Sequence, residues 1–227
     1  MIWAVMVMVD MRPTSSQLCL WLRNRRIRQT NFASSSSQVV CITNPICRGL
    51  GSGTLKGMDA LYALLFLVVF IVHEFEEIIF VKAWVAKHRA LPRFGNQLWV
   101  KNFSKYPLST ATFAVLVAEE FVLIGSLVFA ASLLNAPAMF AGLVIAYGLH
   151  LLGHIVDMIV RRAYVPGGPT AFITLPAVAW LAYTVIDQAQ PSAVAVILWT
   201  LGLGAFLILN LRCLYMIAPR IERFLHR

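Results

Sequence analysis

His73, Glu74, Glu76 and Glu77 fall within five residues of one another. An imidazole among carboxylates can ligate a metal or move protons. On a helix, residues four apart share a face, so His73 and Glu77 point the same way, with Glu76 beside them. Such ligands suit zinc or iron, and an i, i+4 pair is a common way to supply two of them. The pentapeptide departs by one residue from two zinc-peptidase patterns. In H-x-x-E-H the outer residues bind metal and the inner Glu is the base; in H-E-x-x-H the base is the second residue. Glu77 stands where either pattern ends in His. Both make His73 and Glu77 the ligands and leave Glu76 or Glu74 as base, of which Glu76 is preferred here.

Two further groups of the same chemistry lie downstream. His150 and His154 share a helical face, extended by Tyr147 and Asp157; Glu119 and Glu120 are adjacent and about 100° apart, so that one of them turns inward. The expected site therefore has His73, Glu77, His150 and His154 as ligands of a divalent metal, zinc or iron, and Glu76, Glu119 and Glu120 as catalytic carboxylates. Structural roles compete with each assignment. A histidine within a helix is commonly a packing residue. Glu76 and Glu77 can pair with Lys82 or Lys105. Glu119-Glu120 can clasp two helices together, and Asp157 can pair with Arg161.

The elements that carry these residues are apolar. The chain has 227 residues, 59% hydrophobic and only 13% charged, against about 25% charged in soluble domains. This composition indicates an all-α, multi-pass membrane bundle and excludes an ordinary soluble domain. Five spans are expected, at about residues 60–84, 108–134, 138–160, 170–186 and 193–217. The first is marginal: its uninterrupted apolar part, residues 60–72, covers only about 20 Å, so the helix must run on through the carboxylates. A charged acid at the bilayer centre costs about 2.5–3.5 kcal/mol on insertion scales, which makes ionisable groups there functional candidates. Counted at about 1.5 Å per residue, all three polar groups fall in one half of the membrane or near its midplane.

Loop charges set the orientation. Lys82, Lys87, Arg89, Arg93, Lys101 and Lys105 lie between spans one and two, Arg161 and Arg162 between three and four, and Arg212, Arg220, Arg223 and Arg227 at the end of the chain. The other two connections carry no basic residue. The positive-inside rule puts the basic segments and the C-terminus in the cytoplasm and the start of the membrane domain outside. The net charge of +9 is thus topology signal rather than a sign of nucleic-acid binding. Cys19, Cys41, Cys47 and Cys213 include no CxxC pair, so neither a zinc ribbon nor a disulfide framework is indicated.

Residues 1–57 differ from the rest. They hold seven basic residues against Asp10, a run of four serines from Ser34 to Ser37, and no apolar periodicity. Three readings fit: a disordered extension, a transit peptide, or an upstream stretch outside the native protein, with translation starting at Met58. The third is favoured, because five spans with an inside C-terminus would otherwise require export of a strongly basic segment. The membrane domain is then residues 58–227.

His73-Glu74-Phe75-Glu76-Glu77 early in the first membrane helix, a glutamate in the second and histidines in the third resemble the bacterial membrane proteins of unknown function that are named for their HXXEE motif. The resemblance covers roughly residues 58–220 and implies a small multi-spanning protein of the bacterial cytoplasmic membrane, with no established activity. A weaker similarity, to intramembrane glutamate-type proteases, fails on the Arg that follows their Glu-Glu pair: Phe80 stands three residues after Glu77. The residues themselves support a metal-dependent, hydrolase-like enzyme acting on a lipid or membrane-embedded peptide, as a single chain or a homo-oligomer. The alternatives are a proton- or cation-coupled transporter, and a structural protein with a polar helix clasp.

Overall fold

A computed structural model describes residues 60–226. The expected N-terminal extension and the Met58 start lie outside the described residues. The described part is an all-α membrane bundle: α1 (Ala60–His88), a 3-10 turn (Pro92–Phe94), α2 (Leu98–Lys105), α3 (Thr110–Leu133), α4 (Pro137–Arg161), α5 (Gly168–Ala189) and α6 (Ala193–Leu225).

Among the described residues, four helices, α3 to α6, are long and apolar enough to cross a membrane, which corrects the expected five. The helix that falls short is α1. Its 29 residues are ample in length, but every 18-residue stretch of it contains Glu74, Glu76 and Glu77. The expected limits of the other spans lie inside or close to the helices found. The largest differences are the continuation of α6 to Leu225 and the short α2 in the basic loop.

Local signals explain the helix ends. Ser109 caps α3, its side chain accepting from the Thr112 amide. Gln97 caps α2 by accepting from the Val100 amide at 2.9 Å. Proline stands in the first turn of α4 and of α5, where its missing N–H costs nothing. Arg162 ends α4 in a left-handed conformation.

The central helix is α4, packed against α3, α5 and α6. Its stretch from Met139 to Val144 is continuously buried, so both faces meet neighbours. At Gly142 a Cβ would lie 2.6 Å from the Trp199 Cβ and 2.8 Å from the Thr200 amide of α6. A small residue lets two helices approach closely where lipid provides no hydrophobic drive. Helices α3 and α6 run antiparallel, held at two levels: the Ser109 amide and hydroxyl donate to Glu222 Oε2, both at 2.8 Å, and Asn210 Nδ2 donates to Glu119 Oε2 at 3.0 Å. Helix α1 is antiparallel to α5, touching it through Tyr62 and Gln188 at one end and through His73 and Thr170 at the other.

The apolar core has two parts. One gathers Phe66, Phe70, Tyr147, Leu151 and Val178. The other gathers Val81, Trp84, Phe94, Trp99 and Val165. Along α1, the residues between Phe70 and Val81 include His73, Glu74, Glu76 and Glu77, all buried. A polar layer is therefore enclosed between two apolar ones.

Candidate metal centre

The layer is built from three chain segments. Helix α1 contributes His73 and Glu77, one turn apart; α4 contributes His150 and His154, also one turn apart; the turn into α5 closes the third side. One ligand atom from each of the four residues lies within 4.8 Å of the others. Glu77 Oε1 is 3.6 Å from His73 Nε2 and 3.1 Å from His154 Nε2. The Nε2 atoms of His150 and His154 are 3.1 Å apart, the spacing of two imidazoles that share a proton or a cation. His73 and Glu77 are buried, His154 is partly covered and His150 is exposed, so the tetrad opens on the His150 side.

Tautomers follow from the outer contacts. His73 Nδ1 is 3.0 Å from Thr170 Oγ1. The Thr170 hydroxyl donates to Glu76 Oε2 at 2.5 Å, so it accepts from His73 Nδ1–H. This leaves the lone pair of His73 on Nε2, facing the tetrad. The Nδ1 side of His154 lies against the backbone at Gly167, which again turns Nε2 inward. Metal-binding histidines are commonly held this way, the second nitrogen donating to a carbonyl or a carboxylate-linked group.

Glu76 faces away from the tetrad. Its Oε2 also accepts from the Thr170 amide at 3.0 Å, and its Oε1 accepts from the Tyr164 hydroxyl at 2.9 Å. These contacts lie in the first turn of α5, whose N-cap, Gly167, has no side chain to offer. Glu76 supplies the missing cap, and a carboxylate at a helix N-terminus meets both free amides and the positive end of the dipole. Burial, then the hydrogen bond to Glu76, hold the Tyr164 phenol above its ordinary range, so it stays a donor.

Gly167 is fixed by its position. Its φ is +86°, and a Cβ there would lie 2.5 Å from Glu77 Oε1 and 2.6 Å from His154 Nδ1. The backbone itself forms that wall of the site. On the other flank, Glu120 of α3 is within electrostatic reach of Glu77 and Glu74, while Glu119 is exposed and bonded to Asn210. Trp99 of α2 lies over His154, ring centroids 6.2 Å apart.

The residues fit a cation. His73 Nε2 and Glu77 Oε1 are buried without a hydrogen-bond partner, although buried polar atoms are nearly always paired. Three imidazoles and a carboxylate are the donor set of zinc and iron centres. Thr170, Tyr164 and Gly167 belong to no ligand motif; the signal they leave in the sequence is the Gly167-Gly168 pair at the start of a helix.

The sequence model of a family described as "Protein of unknown function with HXXEE motif" matches residues 64–181. The chain belongs to the HXXEE family. No curated protein and no solved structure matches it. The stretch matched to the HXXEE family holds all four tetrad residues together with Tyr164, Gly167 and Thr170, whereas α6 lies beyond it.

Proposed function

We propose that this HXXEE protein is a membrane-embedded, metal-dependent enzyme of hydrolase type, with a lipid or a membrane-embedded peptide as substrate. His73, Glu77, His150 and His154 hold a divalent cation, zinc or iron. One observation carries the reading: four ligand atoms from two helices converge within 4.8 Å, and two of them are buried with nothing else to bond. Bound there, such a cation would supply Lewis acidity and bring the pKa of water to about 7. The chain's own groups do the rest. Glu76 positions His73 through Thr170, and Glu120, with Glu119 behind it, offers carboxylates that take up and pass on protons. The open His150 side admits substrate from the lipid, which is why an amphiphile is the favoured class. The basic ends of α1 and α4 lie together, as the bonds from Trp84 to Tyr164 and from Gln97 to Asp157 require. This supports one cytoplasmic end carrying Lys87, Arg93 and Arg161, with the C-terminus on the same side.

Elemental analysis of protein purified gently in detergent tests the reading. About one zinc or iron per chain is expected, lost in His73→Ala, Glu77→Ala and His154→Ala. Metal-free wild type that gains no thermal stability from added zinc or iron would overturn it. Coupled transport is the second reading, favoured by the acidic groups that lead from Glu77 past Glu120 to the Glu119–Asn210 contact with α6. It requires flux in proteoliposomes that persists without metal and stops on Glu120→Gln. A purely structural clasp would lose thermal stability on the same substitutions and change nothing else.

A further inference from the structure

Outside the tetrad, the last two turns of α1 and the chain just after α4 enclose a groove of about 340 Å³, within the ordinary size of small-ligand sites. Phe80 and Trp84 form its floor, Tyr164 the facing wall, and the exposed Ala83 its rim. Lys87 and His88 stand at its mouth. We infer that this groove binds the headgroup of an anionic membrane phospholipid.

The groove is structurally fixed. The left-handed Arg162 turns the chain back onto α1, where the Trp84 indole donates to the Tyr164 carbonyl at 2.9 Å and Phe80 meets the Tyr164 ring edge-on at 6.3 Å. His88 Nδ1 donates to the Trp84 carbonyl at 2.8 Å, and its ring stacks on Trp84 at 4.5 Å. Its Nε2 has no partner among the described residues. Lys87 is exposed and forms no ion pair among the described residues. From residue 78 to residue 118 the chain has six Lys and Arg residues and no acid, so no carboxylate of this segment neutralises Lys87.

Two features select a lipid. The floor continues into the outward-facing Ile79 and Phe80, a surface on which an acyl chain lies while its phosphate meets Lys87 and His88. The cationic mouth is at the end of a helix that begins in the apolar layer, the level at which headgroups sit. A soluble phosphate would use the charges and leave the apolar floor idle. The groove is separate from the tetrad but shares one side chain with it: Tyr164 lines the groove and donates to Glu76.

The test is native mass spectrometry of the full chain released from detergent with phosphatidylglycerol or phosphatidylcholine. The wild type is expected to retain phosphatidylglycerol preferentially. Lys87→Ala should weaken that retention about five-fold, and Lys87→Glu more. Ala83→Trp, which fills the groove from its exposed rim without altering charge, should weaken it as well. Lys101→Ala on α2 removes the same charge elsewhere and should leave retention unchanged. Equal losses in Lys87→Ala and Lys101→Ala would reduce the effect to diffuse surface charge and overturn the proposal. So would equal retention of phosphatidylcholine, or displacement of the lipid by millimolar inorganic phosphate. Thermal melts of each variant separate lost binding from lost folding.

Discussion

Two polar clusters lie one turn apart on α4, and they are built on opposite principles. Around Asp157 every strong group is answered. Arg161 Nε meets Asp157 Oδ1 at 2.5 Å, Gln97 Nε2 donates to Asp157 Oδ2 at 3.1 Å, and Arg161 also reaches the Arg93 carbonyl at 2.6 Å. This is a fastening between the loop after α1 and the end of α4. One turn away the outer nitrogen of His73 is answered by Thr170 and that of His154 lies against the backbone at Gly167, yet His73 Nε2 and Glu77 Oε1 are buried without a hydrogen bond. Satisfied polar groups hold a fold together. Groups oriented with care and then left without a partner are prepared for something that arrives later.

Removing an inner ligand should have the largest effect. His73→Ala or Glu77→Ala should leave less than about a tenth of the wild-type zinc or iron after dialysis, read by elemental analysis. Gly167→Ala comes next. A left-handed residue with a Cβ costs about 1–2 kcal/mol and its methyl would intrude between Glu77 and His154, so both metal content and melting temperature should fall. Thr170→Val keeps the shape and removes only the hydroxyl that orients His73. A 10–100-fold loss of metal affinity is expected, measurable by competition with a chelator, and unchanged affinity would show that the orienting chain is irrelevant. Asp157→Asn should be the mildest, lowering stability by about 1 kcal/mol with metal content untouched. If Asp157→Asn released metal as readily as Thr170→Val, the distinction between the clusters would vanish. Acid sharpens the same contrast: ligating imidazoles must be neutral, so metal retention should decline in strong acid before the bundle unfolds, read by elemental analysis beside a thermal melt.

The helical class and the limits of α3, α4 and α5 were legible because long apolar runs allow little else in lipid. The faces that meet were legible too. The four-residue spacings of His73 with Glu77 and of His150 with His154 carry directly into the tetrad. Spacing could not reveal where the helices cross, so Glu119 and Glu120 looked equivalent, and only the fold separates the Glu120 side from the exposed Glu119. Glu76 reads as a base from the motif, whereas its contacts depend on α5 arriving some ninety residues later in the chain. The turn residues were illegible for the same reason: Gly167 and Thr170 matter through what α1 and α4 bring to them. The fifth span was expected because α1 is long and mostly apolar; the carboxylates that flagged it as chemically interesting are the ones that disqualify it.

Glu76 both starts α5 and steadies His73, and this has a bearing on biosynthesis. His73, Glu77, His150 and His154 all leave the ribosome before Thr170. Until α5 inserts and offers its first turn to Glu76, His73 lacks its anchor and the wall at Gly167 is missing. Completion of the tetrad is thereby tied to a late step of membrane assembly, and under the proposed function a nascent chain arrested before α5 should be unable to bind zinc or iron.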